Sequence, residues 1–358
     1  MVELDKDNNF QAEEIYESQN KKINLKSILI FAIQILLAGG IIFWLISNNK
    51  SQIVKAFEHF NFLWLIPAAL LYAVHIFVGA WRWRLLLKVQ NIYISFWESL
   101  SLTMQGFFFS LVLPGGALGG DVVKAAFLIK KTPKGNRLIA SFTILVDRII
   151  GMSSLFSLAA VFALLSLDVI NKLSGTSVLL IYLLIAGCCG GLGAVIVLFF
   201  HDKFLKIPGF KKMIEIIDRF SHNAAYRLFS AIDSFRSAWK SLLLTFLVSI
   251  FFVHGMISAV VFCIAGGLGS LSSQPSVYIL ATSIANAAAC IPATQSGLGI
   301  RDFFLQAILR TGGILKANAI TIALIYTAII LSFNLLGGLF FAFSRNITKS
   351  LTENGGSK

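Results

Sequence analysis

Residues 113–124 read "LPGGALGGDVVK" and follow directly on "FFFSLV" at 107–112. Proline has no N–H to give a helix, and the glycines allow a tight turn and close backbone approach, so the apolar helix must stop here. The stretch then adds Asp121 and Lys124 to a segment, 97–131, that is otherwise apolar up to its basic end. A second apolar segment, 276–311, is broken in the same manner by "PATQSGLGIRD" at 292–302. Pro114 and Pro292 lie 178 residues apart, and each is followed five positions later by a glycine, Gly119 and Gly297, with an acidic residue soon after. How these two interruptions are read decides the fold.

Their surroundings are membrane-like. Of the 358 residues 57% are hydrophobic and 13% charged, with a mean hydropathy of +0.80, far from the balance of a soluble domain. Apolar runs of about 17 to 25 residues recur from 25 to 343, each long enough at about 1.5 Å per residue to cross a hydrocarbon core of about 30 Å. The runs at 25–46, 62–80, 141–166, 177–200, 241–265 and 318–343 are read as full spans, helical because a backbone in lipid must satisfy its own polar groups. The run at 27–46 follows a polar, acidic start without a signal-peptide cleavage pattern and is kept as a span.

The broken segments do not fit as simple crossings. Taken as re-entrant hairpins, they close the charge bookkeeping. Of the 30 Lys and Arg, 22 then fall on one side, five on the other and three at membrane depth. That asymmetry places both termini in the cytoplasm. Arg82, Arg84 and Lys88 flank the first hairpin on one side, with Lys130, Lys131, Lys134 and Arg137 on the other. The net charge of +13 therefore reflects topology, and no basic domain with interleaved aromatics points to nucleic acid.

The expected architecture is all-α and integral to the membrane: six full spans plus two re-entrant broken hairpins. Residues 1–24 form a polar cytoplasmic tail, expected to be disordered, 25–166 a first membrane repeat, 177–343 a second, and 344–358 a cytoplasmic tail. With three crossings in each half, the second sits upside down relative to the first, the pattern of inverted-topology transporters whose sites lie at interrupted segments. Within the second repeat, 201–240 carries eight Lys and Arg against four Asp and Glu. There Ile214, Ile217, Phe220, Leu228, Ile232, Phe235 and Trp239 recur near helical spacing, as in a basic amphipathic segment lying along the cytoplasmic surface. It sets topology or captures anionic headgroups.

At the first break Asp121 is expected to cap the outgoing helix, with Lys124 one turn in. The free N–H groups and dipole of such a helix start favour an anion. Ser296, Gly297, Arg301 and Asp302 repeat this chemistry at the second break, and two such ends meeting near mid-membrane would form a phosphate seat. The glycine pattern lacks the Gly-Lys-Ser/Thr ending and preceding strand of a nucleotide-binding loop.

Asp147 and Arg148 in "ILVDRIIG" also fall at membrane depth, where a charge costs at least about 2.5 kcal/mol and requires a partner or a cavity. Asp147 is expected to pair with Lys124 or Arg301, and Arg148 with Asp121 or Asp302. Such pairs either lock the hairpin or serve transport. Arg82 and Arg84 in "GAWRWRLLL", beside Trp81 and Trp83, read as interface anchors, with headgroup contact as the alternative. His254, Asn286, Gln295, Gln306, Tyr326 and Asn334 read as glue between helices.

Cys188, Cys189, Cys263 and Cys290 have neither metal-ligand spacing nor polar partners and read as packing residues, so no metal and no cofactor is expected. No nucleophile elbow or acid/base pair stands out, and the carboxylates at membrane depth each have a cation nearby that makes them poor general acids. The expectation is not of an enzyme.

The order "WRWRLLL", "PGGALGGDVVK", "LVDRIIG", "PATQSGLGIRD" resembles the flippase-like transmembrane region of the lysylphosphatidylglycerol synthase family over about 25–345. The resemblance implies a bacterial or archaeal protein of the cytoplasmic (inner) membrane that moves an anionic phospholipid, an aminoacylated phospholipid or a polyprenyl-linked lipid between leaflets. Its partners would be membrane phospholipids or lipid-linked headgroups, together with a partner biosynthetic enzyme. Bifunctional members carry a soluble domain that transfers lysine from its tRNA to phosphatidylglycerol. The 358 residues end thirteen after Arg345, so the expectation is of a stand-alone chain without that domain. The alternative is a membrane-embedded enzyme that modifies a lipid headgroup, or a subunit of one.

Carried over by position, the motifs point to Gly115, Gly116, Gly119, Gly120 and Asp121, to Asp147 and Arg148, and to Gly297, Gly299, Arg301 and Asp302. The resemblance implies Glu at position 302 and Arg at position 124, where this sequence has Asp302 and Lys124. Both departures keep the charge, and bear on geometry and substrate only.

Overall fold

The computed structural model describes residues 25–354 apart from 48, 134–135, 172–175, 222–228 and 230–231. The expected tail at 1–24, Lys134 and Leu228 lie outside them. The described residues are helices and connections, with no strand among them.

In chain order the longer helices are α1 Leu25–Ser47, α2 Lys50–Glu58, α3 Leu65–Val89, α4 Phe96–Val112, α5 Ala117–Lys131, α6 Arg137–Leu165, α7 Thr176–Phe199, α8 Pro208–Ser221, α9 Trp239–Gly267, α10 Ser276–Ala289, α11 Ile300–Thr311 and α12 Lys316–Asn354. Five segments are long and apolar enough to cross a membrane: Phe62–Val89, α6, Leu179–Phe199, α9 and Lys316–Phe343. Phe31–Ser47 with α2, bent by 79°, would make a sixth. Two helices outrun their expected ends. α3 continues to Val89, so Arg82 and Arg84 lie inside it, and α12 stays helical into the expected 344–358 tail.

Each broken segment folds back on itself. α4 starts with a capping box in which Ser95 Oγ accepts from Glu98 N at 3.1 Å and Ser95 N donates to Glu98 Oε2 at 3.0 Å. Glu98 Oε1 then meets Lys131 Nζ at 2.8 Å, joining the first turn of α4 to the last of α5. Lys131 holds the Glu98 carboxyl below the usual carboxylate range, helped by the Ser95 N–H. Midway, a Cβ on Gly120 would stand 2.1 Å from the Gly106 carbonyl, so the two backbones touch where only glycine fits. α10 and α11 form the second hairpin: a Cβ on Gly312, just after α11, would lie 2.5 Å from Val277 Cγ1 at the start of α10.

The core sits around α10. Its small residues, among them Ala281, Thr282, Ser283, Ala285 and Ala288, are buried on every side, and they let α6, α9 and α11 close around it. Large apolar side chains point outward from α3 and α7, including Ile66, Leu70, Leu179 and Leu183, as a lipid-facing surface requires. In the 201–240 segment Ile214, Phe229, Ile232 and Phe235 are buried while Trp239 is exposed. Asp202 pairs with Arg236 there, which also contacts Asp233, and His201 stacks on Phe229 at 4.4 Å.

Candidate lipid-headgroup site

The two interruptions touch. After Val112 the chain turns extended at Leu113, passes Pro114, and reverses through Gly115 (φ +91°) and Gly116 (φ +55°), left-handed values that glycine alone adopts freely. Gly119 is required by close approach, since a Cβ there would stand 2.8 Å from the Pro114 carbonyl. The second break reverses through Ser296, Gly297 and Gly299, all at positive φ.

α4 ends with carbonyls that have no partner in its own helix. Gln295 supplies one from the other break. Its Nε2 donates to Ser110 O at 2.7 Å, Leu113 O at 2.9 Å and Leu111 O at 3.2 Å, and Ser296 Oγ donates to Ser110 O at 2.8 Å. Gln34, on α1, donates to Pro292 O at 2.9 Å. Gln295 is thus glue, as expected, between the two breaks.

A cavity of about 730 Å³ opens beside this contact. Of the residues singled out in the sequence, Gly115, Gly116, Asp121, Arg148, Ser296, Gly297, Arg301 and Asn334 line it. Gly119, Gly120, Lys124, Asp147, Gly299, Asp302, Arg82 and Arg84 are not on its wall. Tyr72, His75, Asn286 and Tyr326 are on it. Tyr72 and His75 were missed, although two polar groups at i and i+3 in an apolar helix are a legible sign of one inward face.

The charges pair in an order that departs from expectation. Arg148 Nε donates to Asp121 Oδ2 at 2.5 Å, one of the pairings foreseen, and its Nη2 reaches Ala117 O at 3.1 Å. Asp121 does not cap: α5 begins at Ala117 with Gly116 as its N-cap residue, so the carboxylate lies a full turn inside and turns to Arg148. Asp147 meets neither Lys124 nor Arg301. It takes Arg82, with Nε to Oδ1 at 2.8 Å and Nη2 to Oδ2 at 3.0 Å, while Arg82 Nη1 donates to Ser249 Oγ at 2.8 Å.

Arg82 is therefore no interface anchor. It is buried against Gly151, the glycine that leaves room for its guanidinium on α6. Trp83 is fully buried and Lys124 stacks on it, Nζ 3.6 Å from the ring centroid. Arg84 stays partly exposed and donates to Ile94 O at 2.8 Å. Ser249 opens a π-helical turn, Ser249–His254, inside α9. Such turns shift side chains out of α register, and here Ser249 reaches Arg82 while His254 Nε2 sits 3.1 Å from Ser154 Oγ.

At the second break Asp302 does cap, accepting from Gly299 N at 3.0 Å; its other oxygen takes Thr327 Oγ1 at 2.5 Å. Arg301 Nη2 donates to that same hydroxyl at 2.7 Å. The Arg301 guanidinium lies 5.2 Å from the Tyr326 ring centroid, is buried, and has an Nε with no hydrogen-bond partner. Of Arg82, Lys124, Arg148 and Arg301, the two without a carboxylate within 4.0 Å among the described residues are Lys124 and Arg301. Of the four cysteines Cys188 and Cys263 are buried and Cys189 and Cys290 exposed, all free thiols.

A relative from Pyrococcus horikoshii, described as a UPF0104 membrane protein, is 26% identical over 126 residues, covering 35% of this chain and 37% of its own length. The match thus spans little more than a third of that relative. The model of the lysylphosphatidylglycerol synthase transmembrane region matches residues 31–338, which take in both broken segments and every residue lining the cavity. The chain belongs to the lysylphosphatidylglycerol synthase transmembrane-region family.

Proposed function

We propose that the protein moves lipids between the leaflets of the cytoplasmic membrane, taking the phosphate-bearing headgroup at the cavity where the two broken helices meet. The observation that carries this reading is Arg301, a buried cation among the residues lining that cavity, whose Nε has no hydrogen-bond partner. A buried cation with a spare donor is costly unless something anionic arrives. Asp121 and Arg148 share the same wall and can open their pair to a headgroup. The family membership supports a lipid-related role, and the matching of the two interruptions supports an inverted repeat of re-entrant hairpins around a central site. Alternating access would follow from rocking one half against the other, with both termini in the cytoplasm. Candidate substrates are anionic phospholipids, aminoacylated phospholipids and polyprenyl-linked lipids, supplied by a separate biosynthetic enzyme.

The reading against an enzyme rests on the engaged state of the carboxylates. Asp121, Asp147 and Asp302 each already accept from a protein donor. The direct test is a leaflet-resolved scrambling assay with purified protein in liposomes carrying each lipid class. Wild type accelerates the exchange of at least one class, and Arg301→Ala lowers that rate by about tenfold or more, the cost of one charge-assisted contact. Equal rates for the two proteins would remove the site assignment; a chemically altered lipid as product would replace transport by headgroup modification.

A further inference from the structure

His75, on α3, ties its helix to α9 with only one of its two ring nitrogens. Its Nδ1 lies 3.0 Å from the Val253 carbonyl, in the π-helical turn Ser249–His254. A carbonyl only accepts, so Nδ1 carries the proton and Nε2 keeps a lone pair. Among the described residues Nε2 has no hydrogen-bond partner, and no carboxylate stands within 4.0 Å of the ring. His75 is half-buried and lines the cavity, and its Nε2 is not sealed in packing. An amide would have served to join the helices; an imidazole adds a base that works near neutral pH.

His254, next along the π turn, is placed differently. Its Nε2 sits 3.1 Å from the Gly151 carbonyl and 3.1 Å from Ser154 Oγ, so that nitrogen carries the proton. Its Nδ1 is buried without a partner, and the residue is not on the cavity wall. Of the two histidines, His75 is the one that an anion in the cavity can meet.

On the wall with His75 stand Arg301, Arg148 paired with Asp121, and the phenols of Tyr72 and Tyr326. Off the wall, Arg82 lies about two turns along α3 and is bound to Asp147, and His254 adjoins the carbonyl that His75 holds. A proton on His75 alone adds a second uncompensated cation to the wall that carries Arg301, which is costly at membrane depth. An anionic phosphate reverses the sign, because it can accept from Nε2–H as well as from Arg301. Nδ1–H keeps its carbonyl in both states, so the proton arrives without breaking the contact between α3 and α9.

We propose that His75 is the proton-binding residue of the cavity: a phosphodiester anion enters with a proton, taken from solution onto Nε2 and returned to it when the anion leaves. The anion rests on the reading of the cavity as a headgroup site; where that headgroup moves, proton and lipid cross together. The complex holds one more proton than its separate partners, so the anion binds more tightly as pH falls, by up to about tenfold per pH unit.

The test uses the purified full chain with dimethyl phosphate and six-carbon phosphatidylglycerol, diesters whose own charge is fixed near neutral pH. Binding heats in buffers of different ionisation enthalpy count the protons taken up, and wild type takes up a proton with the anion. His75→Asn, whose amide can still donate to the Val253 carbonyl, loses the uptake; His75→Gln stands in should it fail to fold. His254→Gln keeps it. In phosphatidylcholine vesicles under a pH gradient, tail-labelled phosphatidylglycerol accumulates in the leaflet facing the more alkaline side, and His75→Asn loses that bias.

Uptake with both diesters, or with the lipid alone, sustains the inference; the first assigns recognition to the phosphate, the second to phosphate and acyl chains together. Heats indifferent to the buffer, uptake that survives in His75→Asn, binding of neither diester, or lipid movement indifferent to the gradient each overturn it. Binding with proton uptake but no movement of any lipid keeps the role of His75 and removes the transport reading.

Discussion

Arg82 and Asp147 carry the largest penalty for separation of any pair described. Both are shielded from solvent, the guanidinium meets the carboxylate through two nitrogens, and a third nitrogen is taken by Ser249. Removing one partner strands the other charge, which in buried pairs costs about 3–5 kcal/mol. Arg82→Ala and Asp147→Ala are therefore expected to lower the thermal unfolding midpoint in detergent by comparable, large amounts. Arg82→Lys recovers little, because a point charge cannot reproduce the fork. Unchanged midpoints would show that the pair is not formed.

The sequence made the existence of a partner for Asp147 legible, since a lone charge in an apolar helix demands one. It did not make Arg82 legible as that partner. In "WRWR" the two tryptophans look alike, and a belt of aromatic and basic residues is the ordinary signature of an interface. The extension of α3 to Val89 carries Arg82 and Trp83 inward, where Gly151 and Thr143 receive them. Nothing in local spacing encodes a bond across 65 residues.

At the scale of elements, proline and glycine placed both breaks correctly, because those residues act through the local backbone alone. The start of α5 was misjudged by several residues: Gly115 and Gly116 complete the reversal early, and Asp121 is left a turn too deep to cap. That the breaks bind each other could be read only as a correspondence of pattern. Its physical content is one amide side chain, Gln295, facing three carbonyls. Gln295→Leu leaves them without that donor, at a cost of about 1–3 kcal/mol for each that stays unpaired. Gln295→Glu is expected to be worse than leucine at neutral pH, since an acceptor then faces acceptors. Ranking the three proteins by unfolding midpoint checks this, and a glutamate variant as stable as wild type would contradict the geometry.

Across the whole molecule, composition was enough to read a helical membrane protein, since no soluble core needs this much outward apolar surface. The sidedness inferred from charge is a separate matter and has its own measurement. In a background with the four native cysteines replaced by alanine, Lys131→Cys at the mouth of the first hairpin and Ser273→Cys just before the second are both exposed positions. A membrane-impermeant maleimide is expected to label Ser273→Cys in intact cells and Lys131→Cys only after the membrane is opened. Labelling of both from one side would rule out oppositely directed hairpins.

The contact between the breaks also constrains how the protein is made. Gln295 follows the carbonyls it serves by 182 to 185 residues. At synthesis rates of about 5–20 residues per second, the first hairpin waits on the order of ten to forty seconds for its donor. During that interval the end of α4 holds polar groups that hydrocarbon cannot accommodate. The first half must therefore be sheltered, by water or by the insertion machinery, until the second half arrives to complete it.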